Sequence, residues 1–151
     1  MHVIIRKRER QLYLIDGEQI LLQAAVGLGP VSAGAKQAEG DGKTPEGVYT
    51  LCLIKPDGKY GRSLGLSYPS LADARAALRE GRITPDTCQA IADALAAHRR
   101  PPWGTALGGE IYIHEGGAHR DWTQGCIALD TGDMDVLFAH RAQITRVEIL
   151  P

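Results

Sequence analysis

Short apolar runs alternate with polar residues at the start of the chain. Residues 2–26 read HVIIRKRERQLYLIDGEQILLQAAVG, with Asp16-Gly17 between two of the runs. A period of two is typical of half-buried strands, and an Asp-Gly pair is a strong hairpin signal. The pattern therefore predicts an antiparallel β meander. We interpret the basic stretch RKRER, residues 6–10, as a solvated hairpin turn and not as a binding patch.

A glycine-rich loop, residues 27–47, follows the meander. It contains six glycines and two prolines, and the strand pattern resumes with VYTLCLIK at Val48. A loop of about 20 residues without structure of its own is uncommon in a compact domain and is often functional. We therefore predict that the glycine-rich loop forms a wall of a site.

The spacing of apolar residues becomes helical in the middle of the chain. SLADARAALREG places apolar residues at helical spacing after Ser70, which predicts an N-cap, and a glycine ends the segment. In TPDTCQAIADALAAHRRPP, Thr84 predicts a second cap, Pro85 takes the first helical position and two prolines end the pattern. The two helices predict a hairpin, an insertion over about residues 70–100. We hypothesise that this hairpin forms a wall or lid of the site.

The last third of the chain returns to strands around one more helix. GEIYIHE predicts a strand over residues 110–115, and TRVEIL predicts a final strand. Between them, CIALDTGDMDVLFAHRA predicts a short helix with Thr131 as its N-cap. The fold class expected is mainly β with helices (α+β). The 151 residues suit one domain spanning the chain, because domains usually contain about 100 to 150 residues.

Composition and charge limit the classes of binding partner and the cellular locations that the sequence predicts. The net charge is −1, the pI is near 6.5, and both signs are mixed along the chain, so nothing calls for nucleic acid or an anionic membrane. No apolar stretch approaches the roughly 20 residues that cross a bilayer, and no secretory signal follows Met1. We expect a monomer, located in the periplasm or outside the cell if the chain is trimmed or exported without a visible signal, and cytoplasmic otherwise.

The candidate chemistry lies in IHEGGAHRDWTQGCIALD, residues 113–130. Cys126 follows Gly125, and His114 ends the preceding strand. A cysteine attacks as a thiolate, which a nearby histidine or backbone dipole stabilises. The amides of Gly125 and Cys126 are placed to hold an oxyanion, so the pattern predicts acyl transfer through a thioester. We interpret the other two cysteines, Cys52 and Cys88, as core residues, with a disulfide between them as the alternative.

IHEGGAHRDWTQGCIAL resembles the signature of the L,D-transpeptidase catalytic domain family, also called YkuD-like. In that signature a strand-end histidine precedes a loop, then Ser or Thr, one further residue, Gly and the catalytic Cys. GDGKTPEGVYTL is similar to the family's Thr-Pro-x-Gly segment, GLSYPS to the segment leading to its site, and the opening hairpin to its first strands. The resemblance covers nearly the whole chain except the helical hairpin of 71–99, which resembles an insertion found in one subgroup.

The resemblance implies a β-sandwich-like core and an enzyme that acts on peptidoglycan tetrapeptides without a metal or cofactor. It implies Cys126 as nucleophile, His114 as general base, the backbone carbonyl of Glu115 as the group that orients the imidazole, and Gly125 with Cys126 as oxyanion donors. Family members cleave a bond following the L-centre of a diaminoacid such as meso-diaminopimelate. The acyl group then passes to an amine, as in a transpeptidase, or to water, as in a carboxypeptidase or endopeptidase; the sequence leaves both open.

Five residues are candidates for substrate contact: Trp122, Thr123, Gln124, His119 and Tyr68, the last within GLSYPS. Trp122 either lines the cleft or anchors its loop on the core. His119 either contacts substrate, serves as a second base, or is a solvated loop residue.

Two departures from the family pattern concern the substrate. Many members have His directly before the Gly-Cys pair and Arg two residues after the Cys, where this chain has Gln124 and Ala128. Loss of that Arg removes a contact to a substrate carboxylate, which leaves the acyl-donor preference open. DWTQGCIAL is closer to the murein transpeptidase or hydrolase subgroup, which carries Asp-Trp-Thr at this point.

Two other classes of function remain as alternatives. Zinc binding by His114, His119 and Cys126 is one, although a structural zinc site needs four ligands. A non-catalytic module that grips peptidoglycan without cleaving it is the other.

Overall fold

Two β-sheets form the body of the protein in the computed structural model, which describes residues 1–151. The first sheet has five strands, in the order β3 (Gln19–Ala25), β2 (Gln11–Asp16), β1 (His2–Arg6), β9 (Arg146–Leu150) and β4 (Gly47–Tyr49). The second has four, in the order β5 (Leu51–Gly58), β6 (Gly61–Leu66), β7 (Tyr112–His114) and β8 (Ile127–Ala128). The mixed α+β class is confirmed.

The opening meander and the closing strand pair as neighbours in the first sheet. β1, β2 and β3 are antiparallel, as the sequence pattern predicts, while β9 lies parallel to β1 with Val3 opposite Val147. The predicted strand over 110–115 is shorter than expected, because only Tyr112–His114 pairs with β6.

The predicted helices are confirmed. α1 (Leu71–Arg79) begins after Ser70, whose hydroxyl accepts from the Asp73 amide in a capping box. α2 (Pro85–Ala96) begins after Thr84, and α3 (Thr131–Ala139) follows β8. The N-cap of α3 is Asp130, so the assignment of Thr131 as the cap is wrong by one residue. None of the helices has the length and apolarity that crossing a bilayer requires.

One hydrophobic core joins both sheets and all three α-helices. Its fully buried side chains include Val3, Ile5, Leu12, Leu64, Ile113, Ile127, Ile91 and Met134. Cys88 is buried in this core, Cys52 is half-buried, and both thiols are free, so the structure contains no disulfide between them. Burial raises the pKa of Cys52 to about 11, which makes that thiol a poor nucleophile.

The β1–β2 turn is not wholly solvated, which corrects the interpretation of RKRER. Lys7 is only 2% exposed, because it continues the inward-facing positions of Val3 and Ile5. Its ammonium donates to the carbonyl oxygens of Gly34 and Thr44 at 2.7 and 2.9 Å and to the Glu46 carboxylate at 3.1 Å. Lys7 therefore ties the glycine-rich loop to the first sheet.

Candidate active site

The register of the second sheet brings the predicted nucleophile and base to one face. Ile113 pairs with Ile127 and His114 with Ala128 in a parallel ladder, so Cys126 lies beside Tyr112. Side chains that lie side by side in a sheet share a face, and so do residues two apart along a strand. Cys126 and His114 therefore project on the same side, while Ile113 and Ile127 fill the core on the other.

Cys126 is held by the backbone before β7. Its Sγ accepts a hydrogen bond from the Tyr112 amide at 3.4 Å and donates one to the carbonyl oxygen of Glu110, also at 3.4 Å. Burial raises the pKa of the Cys126 thiol, and the Tyr112 amide only partly opposes that effect. No hydrogen bond joins Cys126 to His114 in this structure. The resting sulfur is therefore a neutral thiol, and a preformed thiolate is not what the geometry favours.

His114 is oriented for a proton-accepting role. Its Nδ1 hydrogen-bonds to the backbone carbonyl of Glu115, and because a carbonyl oxygen only accepts, Nδ1 is the protonated nitrogen and Nε2 carries the lone pair. Burial lowers the pKa of His114, so the ring is neutral at pH 7.

Two aromatic side chains fix the imidazole plane. Tyr60, in the β5–β6 turn, stacks on the His114 ring with centroids 4.8 Å apart, and Trp122 meets it edge to face at 5.4 Å. Tyr60 and Trp122 also contact each other at 5.1 Å, and the Trp122 indole donates to the Gly117 carbonyl at 2.9 Å. Trp122 thus both lines the site and anchors its loop, which unites the two roles that the sequence left open.

The backbone around Cys126 is fixed by two threonines. Thr123 donates its hydroxyl to the Cys126 carbonyl at 2.8 Å and accepts from the Gly125 amide at 3.2 Å. Thr44, in the Thr-Pro-x-Gly segment, donates to the Gly125 carbonyl at 2.8 Å. Gly125 has φ of 125°, and a Cβ there would lie 2.6 Å from the Lys43 carbonyl oxygen, so only glycine fits.

An ion pair between Arg10, in the β1–β2 turn, and Asp121 supports the loop that carries Trp122. Arg10 donates to both carboxylate oxygens of Asp121 at 3.1 and 2.7 Å, and Asp121 also accepts from the Leu28 amide at 2.9 Å. The Arg10 guanidinium lowers the pKa of Asp121. The Leu28 carbonyl in turn accepts from the Thr123 amide at 3.1 Å. The loop that carries Trp122 is therefore held one residue before it, at Asp121, and one residue after it, at Thr123.

A second ion pair fixes the residue that orients His114. Arg62 donates to both carboxylate oxygens of Glu115 at 2.9 and 2.8 Å, its amide donates to the same group, and it also pairs with Asp135. The Arg62 guanidinium lowers the pKa of Glu115 to about 2. Glu115 is thereby held at both its side chain and its backbone carbonyl.

Cys126 and His114, together with the aromatic rings of Tyr60 and Trp122, line one cavity of about 650 Å³. Its walls come from the glycine-rich loop, the β5–β6 hairpin, the segment before β7 and the loop of residues 122–126 that ends at Cys126. The charged residues that line it are Lys36, Glu39, Lys55, Lys59 and Glu110. The glycine-rich loop thus forms a wall, as predicted. The helical hairpin contributes no lining residue, so the lid hypothesis for residues 71–99 is wrong.

The structure brings together most of the predicted site residues and separates two. Cys126, His114, Trp122, Thr123 and Gln124 all line the cavity. Tyr68 does not: it is 1% exposed and donates its hydroxyl to the Leu107 carbonyl, so the structure corrects its assignment as a substrate contact to that of a core residue. A solvated position is the one observed for His119, which is exposed and outside the lining.

One further prediction about this site needs correction, and one alternative loses support. The Gly125 amide is bonded to Thr123, which removes it from a free oxyanion pair and leaves the Cys126 amide. No group of three or more His, Cys, Asp or Glu side chains is arranged to hold a metal ion, and His119 does not line the cavity that contains His114 and Cys126, which argues against the zinc alternative.

Sequence reasoning missed four residues that shape the site: Tyr60, Lys55, Arg10 and Arg62. Tyr60 and Lys55 lie on a hairpin far from Cys126 in the sequence, and the signal available was only that LCLIKPDGKYG places its alternate residues on one face. Arg10 and Arg62 pair with residues 111 and 53 positions away, which no local pattern indicates.

Comparison with known proteins supports a family assignment. The sequence model of the family described as the L,D-transpeptidase catalytic domain matches residues 1–149. YafK of Escherichia coli K12, which carries a provisional L,D-transpeptidase name, is 35% identical over 84 residues, covering 48% of this chain and 32% of YafK.

Solved structures share the fold. The helical cell shape determining protein Pgp2 of Campylobacter jejuni has 25% identity and a TM-score of 0.62, covering 98% of this chain and 45% of that one. An L,D-transpeptidase of Xylanimonas cellulosilytica has 12% identity and a TM-score of 0.54, covering 98% and 59%. This chain therefore spans about a third of YafK and less than half of Pgp2. Because the family model matches almost every residue, from 1 to 149, the chain belongs to the L,D-transpeptidase catalytic domain family.

Proposed function

We propose that this protein transfers acyl groups of peptidoglycan stem peptides through a thioester on Cys126. The observation that supports this most directly is the placement of a thiol and a neutral imidazole on one sheet face, in one cavity, with the imidazole Nε2 left free by the Nδ1 contact to Glu115. The chain spans only part of the length of its relatives. The reaction, the peptidoglycan substrate and a location outside the cytoplasm are therefore parts of this proposal.

The first half-reaction starts from the neutral Cys126 thiol and the neutral His114 imidazole. When the donor carbonyl enters, Sγ of Cys126 attacks its carbon while Nε2 of His114 takes the thiol proton. The tetrahedral intermediate collapses as the carbon–nitrogen bond breaks, and His114 returns the proton to the leaving amine. The products are an amine and a thioester. The Cys126 amide is the donor that we assign to the oxyanion, because the Gly125 amide is already bonded to the Thr123 hydroxyl.

The second half-reaction releases the acyl group. His114 takes a proton from the attacking amine or water, the new bond forms at the thioester carbon, and Sγ leaves and recovers the proton. Amine attack is transpeptidation; attack by water is carboxypeptidase or endopeptidase activity. The aromatic contacts of Tyr60 and Trp122 keep the imidazole in one plane through both steps.

The test is intact-protein mass spectrometry during incubation with a diaminopimelate-containing disaccharide tetrapeptide, with the released products analysed in parallel. The native chain is expected to gain the mass of the donor less its terminal amino acid, and Cys126→Ala to gain nothing. Cys52→Ala is the matched control, since Cys52 lies outside the cavity and its thiol pKa is near 11. Cross-linked and hydrolysed products separate the two outcomes. An unmodified native chain with untouched muropeptide would favour a binding module and refute the proposal.

A further inference from the structure

We propose that Lys55, with Lys59 beside it, forms a subsite that binds a carboxylate of the acyl donor. This inference rests on the proposed function and specifies the donor: a peptide whose diaminoacid carries a free carboxylate at the far end of its side chain.

The register of the second sheet places Lys55 in line with the proposed base. Lys55 pairs with Ser63, Ser63 with His114, and His114 with Ala128, so these four residues form one row across the sheet. The first three of them line the cavity. Adjacent strands lie about 4.8 Å apart, which puts the Lys55 and His114 backbones roughly 10 Å from each other. The Lys55 side chain therefore enters the same cavity as the proposed base, two strand spacings away from it.

Lys55 and Lys59 differ from the buried lysines in having no acidic partner. Lys7 pairs with Glu46 and Lys36 with Asp41, whereas neither hairpin lysine forms an ion pair. Both line the cavity, and Lys55 is half-buried there. Glu39 and Glu110 also line the cavity, but neither forms an ion pair with these lysines, and an unpaired cation is available to an anionic ligand.

Aromatic rings hold the two ammonium groups instead. Lys55 Nζ lies 5.0 Å from the centroid of the Tyr112 ring, and Lys59 Nζ lies 5.2 Å from that of Tyr60. Gly65 lies between Leu53 and Tyr112 across the sheet, and its missing side chain leaves room for the Tyr112 ring, which would be 3.2 Å from a Cβ. Since the Tyr112 amide contacts Cys126 Sγ, one residue links the cation to the nucleophile.

The other cations near the site are already paired. Arg10 binds Asp121 and Arg62 binds Glu115. At the opposite end of the row, Ala128 is fully buried and its backbone exchanges hydrogen bonds with Gly27. Lys55 and Lys59 are therefore the unpaired cations that can neutralise a donor carboxylate. They lie on the opposite side of His114 from Ala128.

The test compares two donors in proteins that bind but do not react. Cys126→Ala is titrated with the tetrapeptide whose diaminopimelate side-chain carboxylate is free and with the same peptide carrying a carboxamide there. A charge-assisted hydrogen bond contributes enough for about a tenfold preference for the acid. In Lys55→Gln/Cys126→Ala the preference is expected to vanish through weaker binding of the acid, while Lys55→Arg/Cys126→Ala retains it.

Arg75→Gln/Cys126→Ala is the charge-matched control, because Arg75 is an exposed residue of α1 outside the cavity. A preference that survives both Lys55→Gln and the Lys55→Gln/Lys59→Gln double change would overturn the inference, as would binding of neither donor. Rising salt is expected to reduce the preference even without any lysine substitution. If the acid is preferred and Lys55-dependent but the native enzyme forms no adduct, the acyl-transfer proposal fails while the subsite stands.

Discussion

Lys7 is the buried cation that connects the sheet to the glycine-rich loop, so its replacement measures how far that loop depends on one side chain. Lys7→Met keeps the length and the apolar stem of the side chain and removes only the ammonium. The variant leaves three acceptors without their donor: the carbonyls of Gly34 and Thr44 and the carboxylate of Glu46.

The expected loss in the free energy of unfolding depends on how deeply those three acceptors are buried. The bond to the Thr44 carbonyl is buried, and leaving such a group unsatisfied costs about 1–3 kcal/mol. Gly34 and Glu46 are partly accessible and are rehydrated, so each adds less, about 0.5 kcal/mol. The sum is about 3 kcal/mol. In a chain of 151 residues each kcal/mol lowers the Tm by roughly 2–4 °C, so a fall of about 6–12 °C is expected.

Urea unfolding followed by circular dichroism gives the free energy, and the control is Arg8→Met, which removes an exposed charge from the same turn. That control is expected to change stability by less than 0.5 kcal/mol, the usual range of about ±0.5 kcal/mol for surface substitutions. Because the loop also lines the cavity, Lys7→Met is expected to raise KM as well. Equal stability of Lys7→Met and Arg8→Met would refute the reasoning.

Three further predictions concern the site. In a background lacking the other two cysteines, alkylation of Cys126 by iodoacetamide is expected to rise with pH through a midpoint above 9.0, because burial raises that pKa; a midpoint near 6 would mean a resting thiolate. Trp122→Leu removes an edge contact to the His114 ring, so kcat is expected to fall at least tenfold at unchanged alkylation rate, and an unaltered kcat would show that the ring needs no such support. The pKa of Glu115 is about 2 in the folded chain against 4.5 when free, so its contribution to stability is complete above pH 4.5 and is lost as the pH falls toward 2; Tm measured across that window should fall more for the native chain than for Glu115→Gln, and parallel curves would contradict it.

Local chemistry was enough to predict much of the fold. The period-two runs of residues 2–26 and the capping residues Ser70 and Thr84 define strands and helix starts through interactions within a few residues. The one-residue error at Thr131 arises because Asp130 occupies the N-cap position without a side-chain hydrogen bond, so no capping interaction marked the boundary.

The sequence by itself was enough to name the candidate nucleophile and the candidate base: Cys126 after a glycine, and His114 at a strand end. What they contact was decided by tertiary structure, because pairing partners distant in the chain are set by sheet register and packing and not by local spacing. Register alone aligned Lys55 with His114, and burial alone made Tyr68 a core residue and kept the Cys126 thiol neutral. Lys7 shows the same limit, since a charged residue in a basic turn is buried only when a distant carboxylate and two carbonyls meet it there.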